Sequence, residues 1–163
     1  MSVRTSATPS AVSSEDASTR LVDPRGLRFV AAITTVVLAL VLVTGNGWLL
    51  AAQALVFALG AIDQSPYGLI FRRFVRPRLG PPAELEDARP PRFAQALGLA
   101  FALVGVVDFA LGSDVVGLTA TALALIAAFL NAAFGICLGC ELYLLYRRTF
   151  TSRASAQHKE GSA

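Results

Sequence analysis

Charged residues are scarce in this chain of 163 residues: they make up 15% of it, whereas 55% of the residues are hydrophobic. A soluble domain carries roughly 25% charged residues, and so short a chain leaves most of its residues near its surface. This composition excludes a soluble enzyme of ordinary build, a nucleic-acid-binding domain and a disordered regulator. We therefore expect a protein that is embedded in a lipid bilayer.

Several signatures of catalysis and cofactor binding are also absent. The sequence contains no glycine-rich phosphate loop and no recognisable Ser/His/Asp set, and its single histidine, His158, lies outside the apolar segments. We therefore predict no cofactor, no metal ion and no nucleic-acid partner. The sequence leaves open whether the chain is an enzyme.

Long uncharged runs define the predicted membrane segments. The longest run, 29–62, has 34 residues without a charge, whereas about 20 apolar residues are enough to cross a bilayer as a helix. Turn signals at 44–47 and 112–114 divide the apolar sequence. The pattern predicts an all-α integral membrane protein with four transmembrane helices in two hairpins, at 24–44, 48–62, 91–111 and 115–134. The second helix is short, so it either tilts little or extends past Asp63.

Helix start signals support this division. Asp23 followed by Pro24 is typical of a capping acid with proline at the first helical position, where the missing N–H costs nothing. Pro91 predicts the same kind of start for the third helix, and Asp114 predicts a cap for the fourth. Trp48 stands where an interfacial aromatic residue is expected.

Basic residues occupy three segments only: the N-terminal arm, the central loop and the C-terminal tail, with none in either hairpin turn. Because cytoplasmic loops are enriched in Lys and Arg, we place both termini in the cytoplasm. We divide the chain into a disordered arm (1–20), a four-helix membrane domain (21–150) and a disordered tail (151–163). No cleaved signal peptide is expected.

The two hairpins are candidates for an internal duplication. At an offset of 67 residues, Pro24 aligns with Pro91 and Gly45 aligns with Gly112. The candidate repeats are 24–70 and 91–137. Helices rich in alanine and leucine also align by chance, so duplication and coincidence both stay open.

The chain has only two cysteines, and they form a Cys-x-x-Cys motif at Cys137 and Cys140. A single helix over 115–146 would be about 48 Å long, so we expect a break at Gly135 and a new, interfacial helix from Cys137. The helix N-terminus there favours the thiolate of Cys137. Cys140 follows one turn later within reach of a disulfide, while the carboxylate of Glu141 opposes thiolate formation.

Three roles for this pair are open. In the first it is a redox or sulfur-carrying pair in which Cys137 attacks and Cys140 resolves, because a structural disulfide is not expected in the reducing cytoplasm. In the second the cysteines only pack between helices. In the third they supply half of a zinc site, which requires a second chain because His158 is a poor third ligand.

The central loop begins with an arginine-rich segment, 65–78, that predicts an interfacial helix with Ile70, Phe71, Phe74 and Val75 on one face. We expect its arginines to contact anionic lipid, with docking of a partner protein as the alternative. These arginines are Arg72, Arg73, Arg76 and Arg78.

Other polar residues lie within the apolar segments. Asp108 stands near the outer end of the third predicted span, where we expect contact with headgroup water, and a proton relay is the alternative. Gln53, Gln95 and Asn131 are predicted to form hydrogen bonds between helices.

Four stretches resemble the motifs of an uncharacterised bacterial membrane family, the domain of unknown function 4395 family. They are VDPRGLRF at 22–29, SPYGL at 65–69 with its arginine-rich continuation to 82, PRFAQ at 91–95, and NAAFGICLGCE at 131–141. The cysteine motif is the most specific part. The resemblance implies a multi-pass protein of the bacterial plasma membrane without an assigned activity. Its relatives can be encoded near thioredoxin-like and rhodanese-type sulfurtransferase proteins.

These observations lead to two hypotheses. In the first, the chain is a membrane thiol or sulfur relay that exchanges electrons or sulfane sulfur with a cytoplasmic thioredoxin-like or rhodanese-like protein. In the second, it is a non-catalytic membrane scaffold or small transporter subunit that works as a homo-oligomer, and the cysteines are structural.

Overall fold

The structure is a computed structural model that describes residues 20–82 and 84–160. The described residues form a helical bundle with one short strand pair. The elements are α1 (Pro24–Thr44), α2 (Gly47–Ala61), α3 (Pro66–Ile70), a π-helical turn (Phe71–Val75), α4 (Arg76–Leu79), α5 (Arg89–Ala110), α6 (Val115–Phe134) and α7 (Leu138–Glu160).

Three of these helices, α1, α5 and α6, are long and apolar enough to cross a membrane. The sequence predicts a fourth crossing by α2, but α2 has only 15 residues and is about 22 Å long at 1.5 Å per residue. It meets the length and hydropathy criteria only together with 66–79, from which it is bent by 70°. The fold is thus all-helical with three candidate spans and one broken helical unit.

Capping residues define both ends of α1 and the start of α2. The side chain of Asp23 accepts a hydrogen bond from the Arg25 amide at 2.9 Å, as its position before Pro24 predicts. Gly45 ends α1 in the left-handed conformation with φ of 62°, and the side chain of Asn46 then caps α2. The predicted bounds of α1 are therefore confirmed.

The caps of the second hairpin differ from the prediction. The α5 helix begins at Arg89 rather than Pro91, because the Asp87 carboxylate accepts a hydrogen bond from the Arg89 amide at 2.9 Å. Asp114 makes no side-chain cap on α6. Asp108 of α5 takes that role, since its Oδ2 accepts a hydrogen bond from the Gly117 amide at 2.6 Å.

A sharp turn prevents α2 from extending past Asp63. Asp63 adopts a positive φ of 65°, and Ser65 then caps the first turn of α3 through the Gly68 amide. The π turn follows, in which the Arg76 amide donates to the Phe71 carbonyl, because the next residue, Pro77, has no N–H to continue an α-helical ladder.

The apolar residues predicted to share one face of the arginine-rich segment differ in their exposure. Phe71 is buried and packs against Phe29 with the ring centroids 5.6 Å apart, whereas Ile70 and Phe74 are exposed.

Two features at the ends of the bundle were not expected. The strands β1 (Leu21–Val22) and β2 (Glu86–Asp87) pair antiparallel, because the segments that lead into α1 and α5 run side by side. The α7 helix continues through most of the tail for which the sequence predicts disorder, since that segment contains no proline or glycine before Gly161. The predicted arm 1–20, except Arg20, and residues 161–163 lie outside the described residues.

The most extensive helix contacts run between the two hairpins. The most extensive contacts join α1 to α6 and α2 to α5, while α5 also packs on α6 and α7. The core residues are Leu38, Val41, Leu50, Ala54, Phe57, Ala102 and Ala124.

Arginines at the starts of α1 and α5 bind the ends of neighbouring helices. Arg28 donates to the carbonyls of Ala132 and Ala133 in the last turns of α6 at 3.3 and 3.2 Å. Arg92 donates to the Ala61 carbonyl at the end of α2 at 3.0 Å. The starts of α1 and α5 and the ends of α2 and α6 therefore lie at one end of the bundle, which we call the basic end.

Candidate functional site

The cysteine motif lies at a helix break at the basic end. Gly135 ends α6 in the left-handed conformation with φ of 73°, and its amide donates to the Asn131 carbonyl. A residue with a Cβ is strained at this backbone angle. The chain therefore leaves α6 at the predicted position, and α7 begins at Leu138.

Cys137 immediately precedes α7 and caps it. The Cα atoms of Cys137 and Cys140 are 5.1 Å apart and their Sγ atoms lie at disulfide-bonding distance. The Sγ of Cys137 accepts a hydrogen bond from the Cys140 amide at 3.4 Å. The Cys137 sulfur therefore lies at the N-terminus of α7.

Close packing on α5 fixes the position of this motif. A Cβ atom on Gly139 would lie 2.6 Å from the Cα of Ala94, so only glycine allows the two helices to approach this closely. One turn later along α7, Tyr143 packs against Phe93 with the ring centroids 5.7 Å apart. The two cysteines therefore stand on a helix that is held against the bundle.

The cysteine pair has different surroundings on its outer side and on its inner side. Both cysteines are half-buried, while Glu141 is exposed, so solvent weakens the effect of its carboxylate on the thiols. On the inner side, Cys137 and Cys140 line a cavity of about 400 Å³ between α1, α5, α6 and α7. Its walls are mostly apolar, and the polar exceptions besides the cysteines are Thr34, Gln95 and Asn131.

The sequence around this site matches one protein family. A family model described as Domain of unknown function (DUF4395) covers residues 22–148. The chain belongs to this family. Neither the comparison with curated proteins nor the comparison with solved structures gives a match.

In this DUF4395 member the four arginines of the arginine-rich segment have different surroundings. Arg72 and Arg76 line a second cavity of about 390 Å³ next to the first, whereas Arg73 and Arg78 do not line it. All four are exposed. The predicted group of four thus divides into two pairs with different surroundings.

The predicted interhelical residues have distinct positions. Gln53 is buried and accepts a hydrogen bond from the Tyr67 hydroxyl at 3.0 Å. Gln95 lines both cavities, and Asn131 lines the first. Asp108 caps α6, so its observed contact is structural.

Two residues of the site were missed by sequence reasoning. Thr34 is 3% exposed, lines the first cavity and has no hydrogen-bond partner for its hydroxyl among the described residues. Its signal in the sequence is a polar residue in the middle of an apolar span. For Gly139, the signal in the sequence is only a small residue between the two cysteines. No group of three or more potential metal ligands occurs in the described part of the chain.

Proposed function

We propose that this protein crosses the bacterial plasma membrane four times, with α1, α2, α5 and α6 as the crossings. Both termini and the basic end then face the cytoplasm. This topology is supported by the three apolar helices, by the bent pair that qualifies as one broken span, and by the absence of basic residues from both hairpin turns.

The packing of the helices supports the candidate duplication of 24–70 and 91–137. At the offset of 67 residues, α1 corresponds to α5 and α2 corresponds to α6. The contact of α1 with α6 then corresponds to the contact of α5 with α2, and these are the two most extensive helix contacts. This pattern is expected of a duplicated hairpin in which the first helix of each copy packs on the second helix of the other copy.

The function we propose is a membrane thiol relay, in which Cys137 and Cys140 exchange electrons or sulfane sulfur with a cytoplasmic thioredoxin-like or rhodanese-like protein. One observation carries it: the two cysteines lie at disulfide-bonding distance at the start of a helix, and the Cys140 amide donates to the sulfur of Cys137. Structural cysteines need no such placement, because simple packing requires only volume and burial.

The exchange with a thioredoxin-like dithiol balances as two thiol–disulfide steps. A partner thiolate attacks the Sγ of Cys137, the Cys137–Cys140 bond breaks, and Cys140 leaves as a thiolate. The second partner thiolate then attacks the partner sulfur of the mixed disulfide, and Cys137 leaves as a thiolate. Two electrons enter the chain, the partner becomes a disulfide, and two protons end on the two cysteines. The reverse sequence oxidises the chain.

The exchange with a rhodanese-like persulfide uses the same two residues. The Cys137 thiolate attacks the outer sulfur of the partner persulfide, the partner leaves as a thiolate, and Cys137 carries the persulfide. The Cys140 thiolate then attacks the inner sulfur, which forms the Cys137–Cys140 disulfide and releases hydrosulfide. The sulfane sulfur is reduced by two electrons that come from the dithiol.

Trapping tests this proposal. In a Cys140→Ser variant, the Cys137 adduct has no resolving thiol, so we expect a mixed disulfide or a persulfide on Cys137 to accumulate in cells and to be detectable by mass spectrometry of the membrane fraction. The matched control is Cys137→Ser, which should accumulate much less. The absence of any adduct on Cys137 would contradict the relay and favour the packing role.

A further inference from the structure

Two cavities lie side by side at the basic end and share a wall. The apolar cavity, of about 400 Å³, extends into the bundle from the cysteine pair. The basic cavity, of about 390 Å³, lies among the starts of α1 and α5 and the segment 60–76. Both are lined by Leu27, Val30, Pro91 and Gln95. A polar space and an apolar space therefore meet at these residues.

Two arginines of the basic cavity have side chains without a hydrogen-bond or ion-pair partner in the described part of the chain. The charged lining of this cavity comprises Arg20, Arg72, Arg76, Arg92, Asp23 and Asp63. Arg20 and Arg92 both contact the Asp63 carboxylate, at 3.7 and 3.5 Å. Asp23 caps α1. Arg72 and Arg76, one helical turn apart, remain available for an anion.

Among the described residues, the lining of the apolar cavity includes one deeply buried polar group that lacks a hydrogen-bond partner. Its walls include the side chains of Phe57, Phe101 and Leu123, which suit a hydrocarbon chain. The Thr34 hydroxyl is almost completely buried without a hydrogen-bond acceptor among the described residues, and an unsatisfied buried hydroxyl destabilises the folded state. Thr34 lies about one turn from Val30, so it stands just beyond the shared wall.

We propose that these cavities form one binding site for a single anionic glycerophospholipid. The phosphate lies between Arg72 and Arg76, the Thr34 hydroxyl donates a hydrogen bond to an ester carbonyl, and an acyl chain fills the apolar cavity beside Cys137 and Cys140. The order of the groups in the lipid matches the order of anion site, polar group and apolar space in the protein. Basic pockets on the cytoplasmic side of membrane proteins bind anionic head groups, and each cavity has a volume in the ordinary range for ligands.

This lipid site depends on the membrane location but not on thiol chemistry, so each proposal can fail without the other. The site also affects the cysteines. The bound acyl chain covers the inner side of the pair, so the thiols are accessible only from the cytoplasm.

Native mass spectrometry of the full chain in neutral detergent tests the site. We expect one retained molecule of phosphatidylglycerol, bound at least about tenfold more tightly than phosphatidylcholine because of the charge-assisted hydrogen bonds to the phosphate. Glycerol 3-phosphate, which has the head group without the chains, should bind much more weakly. Equal binding of both lipids, or of glycerol 3-phosphate and the full lipid, would overturn the proposal.

Two double variants distinguish binding at this site from a general attraction of arginine to anionic lipid. Arg72→Gln/Arg76→Gln should lose the preference for phosphatidylglycerol, whereas Arg73→Gln/Arg78→Gln removes the same charge from the same segment and should keep it. An equal loss in both would show surface attraction only and would contradict the site. Ala127→Phe fills the apolar cavity without changing any charge and should also prevent retention. Size-exclusion profiles and helical circular dichroism identify variants that do not fold. If Ala127→Phe does not fold, Thr34→Val replaces it, because this substitution removes the hydroxyl and nearly keeps the side-chain volume.

Discussion

The backbone amide of Cys140 donates a hydrogen bond to the Sγ of Cys137 over 3.4 Å, so the first sulfur of the motif caps the helix that carries the second. This contact makes the two thiols chemically unequal. When the pair is reduced, we expect the helix N-terminus to favour negative charge on Cys137, whereas Cys140 lies one turn further into α7.

The first prediction concerns this inequality. In Cys140→Ser, the remaining Cys137 thiol should react several-fold faster with iodoacetamide at neutral pH than the Cys140 thiol does in Cys137→Ser, because a larger fraction of Cys137 is thiolate. Alkylation rates from intact-mass measurements in detergent check this. Equal rates would remove the basis for assigning the attack to Cys137.

The second prediction concerns the contact between α7 and α5. Gly139→Ala should lower the free energy of unfolding by about 1–3 kcal/mol, because the new Cβ would overlap Ala94 and displace the start of α7. Thermal unfolding in detergent measures the change. Gly68→Ala is the matched control: its Cβ meets Ser65 at an ordinary 3.5 Å, so its stability should stay the same or rise. Equal effects of the two substitutions would contradict the close approach of α7 to α5.

The third prediction separates two roles of Asp108. As a cap on α6, its carboxylate bonds to the Gly117 amide, so Asp108→Ala should cost about 1 kcal/mol of stability. Asp108→Asn keeps a hydrogen-bond acceptor and should retain most of the stability and the yield of Cys137 adduct in the trapping assay. A loss of adduct in Asp108→Asn with unchanged stability would instead favour the proton relay.

The fourth prediction uses the unpaired hydroxyl of Thr34. Without phospholipid, Thr34→Val should raise the free energy of unfolding by about 1 kcal/mol, because it removes a buried group that has no partner. With phosphatidylglycerol this gain should shrink or reverse, since the bound ester loses its donor. Thr121→Val is the control: that hydroxyl donates to the Gly117 carbonyl at 2.8 Å, so its removal should not stabilise the protein. A gain for Thr34→Val that is the same with and without lipid would contradict the proposed contact.

The sequence predicted those parts of the fold that depend on local capping and hydropathy. The bounds of α1 and α6 and the break at Gly135 depend on residues such as Asp23, Gly45 and Gly135, whose conformational preferences act within one turn. For the same reason the start of α7 beside Cys137 was predictable.

The remaining features depend on contacts between distant segments. The 70° bend after α2 depends on the positive φ of Asp63, which its sequence neighbours do not require. The cap on α6 comes from Asp108 of another helix. The two cavities exist because α1 packs on α6 and α2 on α5, a pairing that hydropathy does not specify. The position of Thr34 in a cavity and the division of the arginines into two pairs therefore could not be predicted.

The central claim is that the Cys137–Cys140 pair exchanges with a cytoplasmic dithiol protein, and inverted membrane vesicles test it most directly. Vesicles are incubated with a reduced thioredoxin-like protein and its reductase, and the thiols of this chain are then alkylated and counted by mass. We predict that both Cys137 and Cys140 become alkylated in inverted vesicles and that both stay protected in right-side-out vesicles. A pair that is not reduced in inverted vesicles, or that is reduced equally in both orientations, would contradict the account.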